Sequence, residues 1–250
     1  MQLTGNTILI TGGATGIGYA LAEKFLAAGN TVITCGRRES RLQEAAAKLP
    51  GLVTRVCDVG DAQQREELFH WVTEQYPTVN VLINNAGIQR DIDFLTTDED
   101  WSVTASEIRI NLDAPIHLSK LFIPVLMKQP QATIIQVSSG LGFTLTSRAP
   151  VYSTTKAALH SFSVVLRHQL RNTSVEVIEL IPPAVDSELN MESRMKRGFV
   201  STGTTSEEFV EAMLAGIGEG QLEIGYKSTV NAVNLTPNER SAIFARMNPQ

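Results

Sequence analysis

The stretch Ile8-Leu9-Ile10-Thr11-Gly12-Gly13-Ala14-Thr15-Gly16-Ile17-Gly18 decides the fold class of this chain. A short apolar run, typical of a buried strand, leads into a turn with four glycines, and a helical pattern follows. Glycine lets the backbone approach a ligand closely, and the free N–H groups of a helix N-terminus attract an anion. We therefore expect a phosphate-binding unit whose contacts come from Gly12, Thr15, Gly16, Ile17 and Gly18.

The glycine pattern by itself is equally compatible with an ordinary strand-to-helix turn. Its spacing is Gly-x-x-x-Gly-x-Gly, which differs from the Gly-x-Gly-x-x-Gly of many dinucleotide folds. The turn also lacks the Gly-Lys-Ser/Thr of nucleoside triphosphate loops. The sequence therefore disfavours phosphoryl transfer.

Outside this stretch, short runs rich in Val and Ile alternate with helical patterns along the whole chain. The predicted strands are 7–11, 32–35, 53–57, 81–84, 134–138 and 175–181, and a short one is expected at 222–224. Helical periodicity covers 18–28, 40–49, 116–127, 157–170 and 237–247. Because no linker or repeat interrupts this alternation, we predict an α/β protein. It is one doubly wound Rossmann domain over 1–250, with a mostly parallel central sheet and helices on both faces.

Composition excludes several classes of protein. The chain has 250 residues, of which 43% are hydrophobic and 19% charged, with a net charge of −5. This disfavours a disordered chain and a basic nucleic-acid binder. Two cysteines exclude a disulfide scaffold, and the four histidines show no metal-binding spacing. No basic leader or long apolar run occurs, so we expect a cytoplasmic protein with neither a metal site nor a membrane partner.

The tip of the second strand indicates which dinucleotide is preferred. Folds that bind NAD usually have an acidic residue there, which holds the ribose 2′-hydroxyl. Here the sequence is Cys35-Gly36-Arg37-Arg38, and no acid occurs before Glu39. Two guanidinium groups suit a 2′-phosphate, which a carboxylate would repel. The pattern favours NADP(H) over NAD(H); the alternative is a solvated pair of arginines.

A tyrosine and a lysine at i, i+4 spacing are the candidate catalytic groups. Tyr152 and Lys156 fall on one face of the predicted helix. Ser139 follows the fifth strand, and strand C-termini are where open α/β sheets bind ligands. A lone Tyr-x-x-x-Lys also arises by chance, but here it follows Asn84-Asn85-Ala86-Gly87, Asn111 and Ser138-Ser139.

Together these motifs resemble the short-chain dehydrogenases/reductases in their compact form, from Thr7 to about Ser187. Within that family the chain looks most similar to the DltE-like oxidoreductases. The segments that suggest this are Ser139-Gly140-Leu141, Lys156-Ala157-Ala158-Leu159-His160-Ser161-Phe162 and Pro182-Pro183-Ala184-Val185-Asp186. The resemblance implies a hydride transfer between a nicotinamide and a carbonyl or secondary alcohol, in a homodimer or homotetramer.

The resemblance also implies a role for each matching residue. Tyr152 would be the acid/base, Lys156 would hold the nicotinamide ribose, Ser139 would bind the substrate oxygen and Asn111 would bind a water. The implied cofactor contacts also include Asp58, Val59, Asn85, Ala86, Gly87, Val185 and Ser187.

Electrostatics supports the pairing of the tyrosine with the lysine. Free tyrosine titrates near ~10, and a cation at ~4 Å contributes about 4 kcal/mol at an effective dielectric of ~20. We therefore expect Lys156 to lower the pKa of Tyr152 toward neutrality.

Two features beyond the motifs lead to further expectations. Residues 187–206 are predicted to form a mobile substrate loop, and an apolar pocket is expected from Phe94, Leu141, Phe143, Leu189, Met191 and Phe199. The family's usual Pro-Gly after the sixth strand is Pro182-Pro183 here, which stiffens the turn. The alternative function is a dinucleotide-sensing regulatory protein that has lost catalysis, although an intact Ser–Tyr–Lys set argues against it.

Overall fold

A single seven-stranded sheet forms the centre of the protein. The computed structural model describes residues 1–96, 98–198, 201 and 203–248. Every strand pairing in this sheet is parallel, and the order is β3-β2-β1-β4-β5-β6-β7. The strands are β1 (Thr7–Thr11), β2 (Thr31–Gly36), β3 (Val53–Val56), β4 (Val81–Asn84), β5 (Ala132–Val137), β6 (Val175–Ile181) and β7 (Glu223–Gly225).

The strand order reverses next to β1, and this reversal positions the ligand crevice. From β1 the chain proceeds outward to β2 and β3 and then returns to β4 on the other side, where Ile8 pairs with Val81. Ligands of open α/β sheets bind at the carboxyl ends of the strands at such a switch point. The glycine turn after β1 and the Asn85-Ala86-Gly87 segment after β4 therefore face the same crevice.

Helices cover both faces of the sheet, as predicted. In the described part of the chain they are α1 (Gly16–Ala27), α2 (Glu39–Lys48), α3 (Ala62–Gln75), α4 (Trp101–Ile108), α5 (Ala114–Leu126), α6 (Pro150–Leu170), α7 (Met191–Lys196), α8 (Ser206–Gly218) and α9 (Pro237–Met247). One apolar core packs α1, α2 and α8 against the sheet, and the other packs α3, α5 and α6. None of the helices in the described residues is long and apolar enough to cross a membrane.

A π-helical turn joins α4 to α5. It spans Arg109–Asp113 and contains the fully buried Asn111. Such turns are rare and often mark functional sites. The turn places Asn111 beneath the loop that follows β4, where its side chain reaches Ile88.

Candidate active site

A cavity of about 840 Å³ opens at the carboxyl ends of the strands. Most of the residues predicted from the sequence line it, namely Gly12, Thr15, Gly16, Ile17, Arg37, Arg38, Asp58, Val59, Asn85, Ala86, Gly87, Ser139, Tyr152, Lys156, Val185 and Ser187. Gly18 and Asn111 do not line it. The structure thus brings the glycine turn, the arginines and the Tyr–Lys pair around one crevice.

The glycine turn is packed so closely that side chains are excluded from it. Gly12 has φ +68°, and a Cβ there would lie 3.0 Å from Cα of Ala86. At Gly18 a Cβ would lie 2.4 Å from the carbonyl oxygen of Gly12. The absence of a side chain at Gly18 thus lets the turn pack closely against the helix, and its contact with a cofactor stays a prediction. The remaining glycine-rich backbone forms a cradle that fits a pyrophosphate at the N-terminus of α1.

The segment after β4 braces this turn through side-chain hydrogen bonds. Asn85 Nδ2 donates to the carbonyl oxygens of Thr11 and Gly12, at 3.0 and 3.1 Å. The Thr11 hydroxyl accepts from the backbone N–H groups of Asn85 and Ala86. The side chain of Asn85 thus stabilises the cradle, and Thr11 shares that role without having been evident as a candidate.

The part of the cavity next to the tip of β2 contains three arginines rather than the predicted two. Arg37 lies 3.9 Å from Asp58, whereas Arg38 and Arg41 both bind the carboxylate of Glu188. Arg41 belongs to the first turn of α2, three residues beyond Arg38. Its arginine-x-x-arginine spacing was visible in the sequence, but its partner lies about 150 residues away in the chain.

Tyr152 and Lys156 lie buried on one face of α6, only 5% and 4% exposed. Lys156 Nζ donates to the carbonyl oxygen of Val137 at 2.8 Å and lies 5.7 Å from the centre of the Tyr152 ring. Ser139 follows β5 and accepts a hydrogen bond from the N–H of Leu141. The three predicted side chains therefore meet at the end of β5, beside the glycine cradle.

The pKa values of this pair differ from the expectation. Burial raises the pKa of Tyr152 to about 12, and hydrogen bonding with Ser139 only partly opposes this. Lys156 is not among the groups that shift this pKa, so the predicted decrease toward neutrality is wrong. The same burial lowers the pKa of Lys156 to about 8, although Glu179 favours its charged form. Desolvation therefore determines the direction of both pKa shifts.

Asn111 acts within the described structure as a brace. Its Oδ1 accepts from the N–H of Ile88 at 2.9 Å, and its Nδ2 donates to the carbonyl oxygen of Ile88 at 2.8 Å. Nδ2 also lies 3.3 Å from the hydroxyl of Thr155, which neighbours Lys156 on α6. The side chain links the loop after β4 to helix α6, and its role in binding water stays a prediction.

The segment predicted as a polar substrate loop contains helix α7 and is anchored at its base. Asp91 accepts hydrogen bonds from Asn190 and Ser193 and pairs with Arg197. Arg194 donates to the carbonyl oxygen of Ser187, at 2.6 Å. Arg197 thus ties the segment to Asp91, and Arg194 braces the start of the segment.

The expected apolar pocket is only partly formed by the residues predicted for it. Leu141 and Leu189 line the cavity, and Phe199 lies outside the described residues. Phe143 packs instead against the ring of His160, while Phe94 and Met191 are exposed. Ile243, Arg246 and Met247 of α9 line the cavity in their place. No sequence signal tied this C-terminal helix to the site.

A buried polar cluster lies behind Lys156 and was not evident from the sequence. Glu179 of β6 is fully buried and 2.7 Å from His160 Nδ1, which raises the pKa of that histidine. Glu223 lies close by and pairs with Arg167 at 2.8 Å. Ligand atoms of His160, Glu179 and Glu223 come within 4.8 Å of one another. The hydrogen bond and ion pair already account for this arrangement, and the absence of a metal site stays a prediction.

Known proteins are similar to this chain in both sequence and fold. The family model described as short chain dehydrogenase matches residues 6–198. The chain is 52% identical over 250 residues to the uncharacterized oxidoreductase DltE of Bacillus subtilis, covering 100% of this chain and 99% of the relative. It is 31% identical over 218 residues to a tropinone reductase homolog of Arabidopsis thaliana, covering 82% of this chain and 81% of that protein.

Solved structures have the same architecture. A short-chain dehydrogenase/reductase of Burkholderia phymatum in complex with NAD superposes with a TM-score of 0.86 at 21% identity, covering 100% of this chain and 98% of that one. One from Burkholderia cenocepacia in complex with NADP gives 0.83 at 24% identity, covering 99% of both chains. With the motif order and the geometry of the crevice, these matches establish that the chain belongs to the short-chain dehydrogenase/reductase family of oxidoreductases.

Proposed function

We propose that this protein is an NADP(H)-dependent oxidoreductase that transfers a hydride between the nicotinamide and a carbonyl or secondary alcohol. One observation carries the proposal: Tyr152 and Lys156 are buried on one face of α6 and line the same cavity as Ser139, which follows β5, and the glycine cradle. A hydroxyl donor, a cation and a dinucleotide cradle are what carbonyl reduction requires.

The residues of this chain bind, orient and handle the proton. The reduced nicotinamide supplies the hydride that adds to the carbonyl carbon. Ser139 hydrogen-bonds the carbonyl oxygen, and Tyr152 donates its hydroxyl proton to that oxygen as the alcohol forms. Lys156, whose Nζ donates to the carbonyl oxygen of Val137, would bind the nicotinamide ribose, and with the cofactor bound its positive charge would oppose the negative charge that forms on Tyr152. Oxidation reverses these transfers.

The proposed preference for NADP(H) rests on the charges near the tip of β2, where the adenosine of the cofactor would lie. The guanidinium groups of Arg38 and Arg41 both contact Glu188, and residues 35–38 at the tip of β2 include no acidic residue of their own. The solved relatives are complexes with NAD or with NADP, which supports a nicotinamide dinucleotide in general. We expect NADPH to bind at least about tenfold more tightly than NADH, a difference of ~1.4 kcal/mol.

Apolar side chains in the cavity support a carbonyl substrate with an apolar body. Ile88, Leu141, Leu189, Ile243 and Met247 are among the lining residues. Within the same cavity the guanidinium groups of Arg148 and Arg246 are exposed. We place this enzyme in the cytoplasm as a homo-oligomer without nucleic-acid or membrane partners.

A cofactor-oxidation screen tests the proposal. The protein is incubated with NADPH and a panel of ketones and aldehydes, with NADH in parallel, and loss of the reduced cofactor is followed. We expect turnover of at least one apolar carbonyl, faster with NADPH at low cofactor concentration. Binding of NADPH without turnover across the panel would favour the alternative, a dinucleotide sensor.

A further inference from the structure

A carboxylate of the protein itself lies between the two arginines that we assign to the cofactor phosphate. Glu188 Oε2 is 2.8 Å from Arg38 Nη1, and Glu188 Oε1 is 2.7 Å from Arg41 Nη2. Each oxygen accepts from a different guanidinium. Carboxylate and phosphate oxygens are recognised by arginine in the same way, so this carboxylate has the bonding pattern of a bound anion.

The contact of Glu188 with the two arginines is exposed, so another anion can replace the carboxylate. The side chains of Arg38, Arg41 and Glu188 are 57%, 40% and 34% exposed. Ion pairs at this degree of exposure contribute little to stability. A dianionic phosphate held by the same two guanidinium groups competes well against a single carboxylate, because it carries more charge and one more acceptor oxygen.

Glu188 also belongs to the segment that borders the substrate. It follows Ser187, which lines the cavity, and precedes Leu189, whose N–H donates to the hydroxyl of Ser187. Three residues beyond it α7 begins. The carboxylate thus ties the start of the segment 187–206 to the two arginines near the tip of β2.

We infer that Glu188 is an internal occupant of the 2′-phosphate subsite formed by Arg38 and Arg41, and that it sets cofactor choice. The inference rests on the proposed function. NADP(H) displaces the carboxylate and releases the start of the segment 187–206, whereas NAD(H), which lacks this phosphate, leaves the contact in place. Glu188 therefore lowers the affinity for the phosphorylated cofactor and links phosphate binding to the substrate segment.

Calorimetric titration of the whole chain with four ligands tests this. The ligands are NADP⁺, NAD⁺, adenosine 2′,5′-bisphosphate and adenosine 5′-monophosphate, and the variant is Glu188→Gln. We expect the two ligands with a 2′-phosphate to bind roughly fivefold more tightly to this variant, and the other two to be unchanged. Glu192→Gln is the matched control: Glu192 lies in the same segment but pairs with Lys196, and should change nothing.

Removal of the second arginine completes the test. Arg41→Ala should weaken the binding of adenosine 2′,5′-bisphosphate. Adding Glu188→Gln to this variant should increase the affinity less than it does in the wild type, because Glu188 has already lost Arg41 as a partner. Unchanged affinity of Glu188→Gln for the bisphosphate would overturn the inference. So would weaker binding of NAD⁺, which would make Glu188 a ligand of the ribose hydroxyls.

The two adenosine ligands separate this inference from the proposed function. They carry no nicotinamide, so their affinities judge the subsite whether or not the protein transfers a hydride. If Glu188→Gln raises the affinity for the bisphosphate in a protein that never oxidises NADPH, the inference about the phosphate subsite stands. The proposed enzymatic function is then contradicted.

Discussion

Tyr152 and Lys156 show what the sequence predicts about single residues. Their i, i+4 spacing is a local property of the helix, so their common face could be predicted without a structure. Their pKa values could not, because burial depends on β5 and the segments that pack over α6. The structure raises the pKa of Tyr152 to about 12 and lowers that of Lys156 to about 8. Both shifts come mainly from desolvation.

These shifts predict a pH dependence for carbonyl reduction. Tyr152 keeps its proton well above pH 8, so supply of the proton does not limit the rate there. Lys156 is charged at neutral pH and loses its charge as the pH rises through about 8. We therefore expect kcat/KM for reduction to be level near pH 7 and to fall above about pH 8, approaching about tenfold per pH unit.

Replacement of the carboxylate near Lys156 should move this decline. Glu179 favours the charged lysine, so Glu179→Gln should shift the fall to lower pH. Glu176→Gln is the control, because Glu176 lies on the same strand but binds the N-terminal amine. The measurement is the pH dependence of kcat/KM for the wild type and both variants. A wild-type profile that stays level to pH 10 would contradict the role assigned to charged Lys156.

At the scale of elements, the pattern of apolar residues in the sequence predicted the strands well and the remaining segments less well. The predicted 7–11, 81–84 and 175–181 coincide with β1, β4 and β6, because continuous apolar runs are decisive for strands buried on both faces. Helices α3, α4 and α8 were not predicted. The π-helical turn around Asn111 and the short helix α7 were not predicted either. Both depend on contacts distant in sequence, through Ile88 and through Asp91.

The anchoring of α7 predicts how its segment moves. Asp91 accepts from Asn190 and Ser193 and pairs with Arg197, so this one carboxylate holds both ends of the helix. We expect amide hydrogen exchange in 187–198 to be faster than in the sheet for the free protein, and slower in a ternary complex. Asp91→Asn should speed exchange in the free protein. Protection equal to that of β5 in the free wild type would contradict a substrate segment that moves.

At the scale of the whole molecule, the strand–helix alternation predicted the doubly wound sheet, and the structure confirms it. The alternation does not show which surfaces stay uncovered. Apolar side chains remain exposed on neighbouring helices of one face, including Ile108 of α4, Ile116 of α5, and Val164 and Val165 of α6. The single-domain organisation and the oligomeric state stay predictions.

This uncovered face predicts a homodimer. Val165 is 56% exposed in the middle of α6, where an apolar side chain gains by being covered. Val165→Glu should shift the protein toward monomer in sedimentation velocity experiments at micromolar concentration. The control is Val230→Glu, since Val230 is 57% exposed but lies near the C-terminal segment. A wild-type protein that sediments as a monomer throughout would contradict the prediction.

The most direct test of the account compares turnover and cofactor affinity in the Tyr152→Phe variant. Phenylalanine keeps the ring and its packing and removes only the hydroxyl that gives the proton. On a substrate that the wild type reduces, we expect the rate to fall by about 10²–10⁴-fold while NADPH affinity stays within a few-fold. A Tyr152→Phe variant that reduces the same substrate at the wild-type rate would contradict the account.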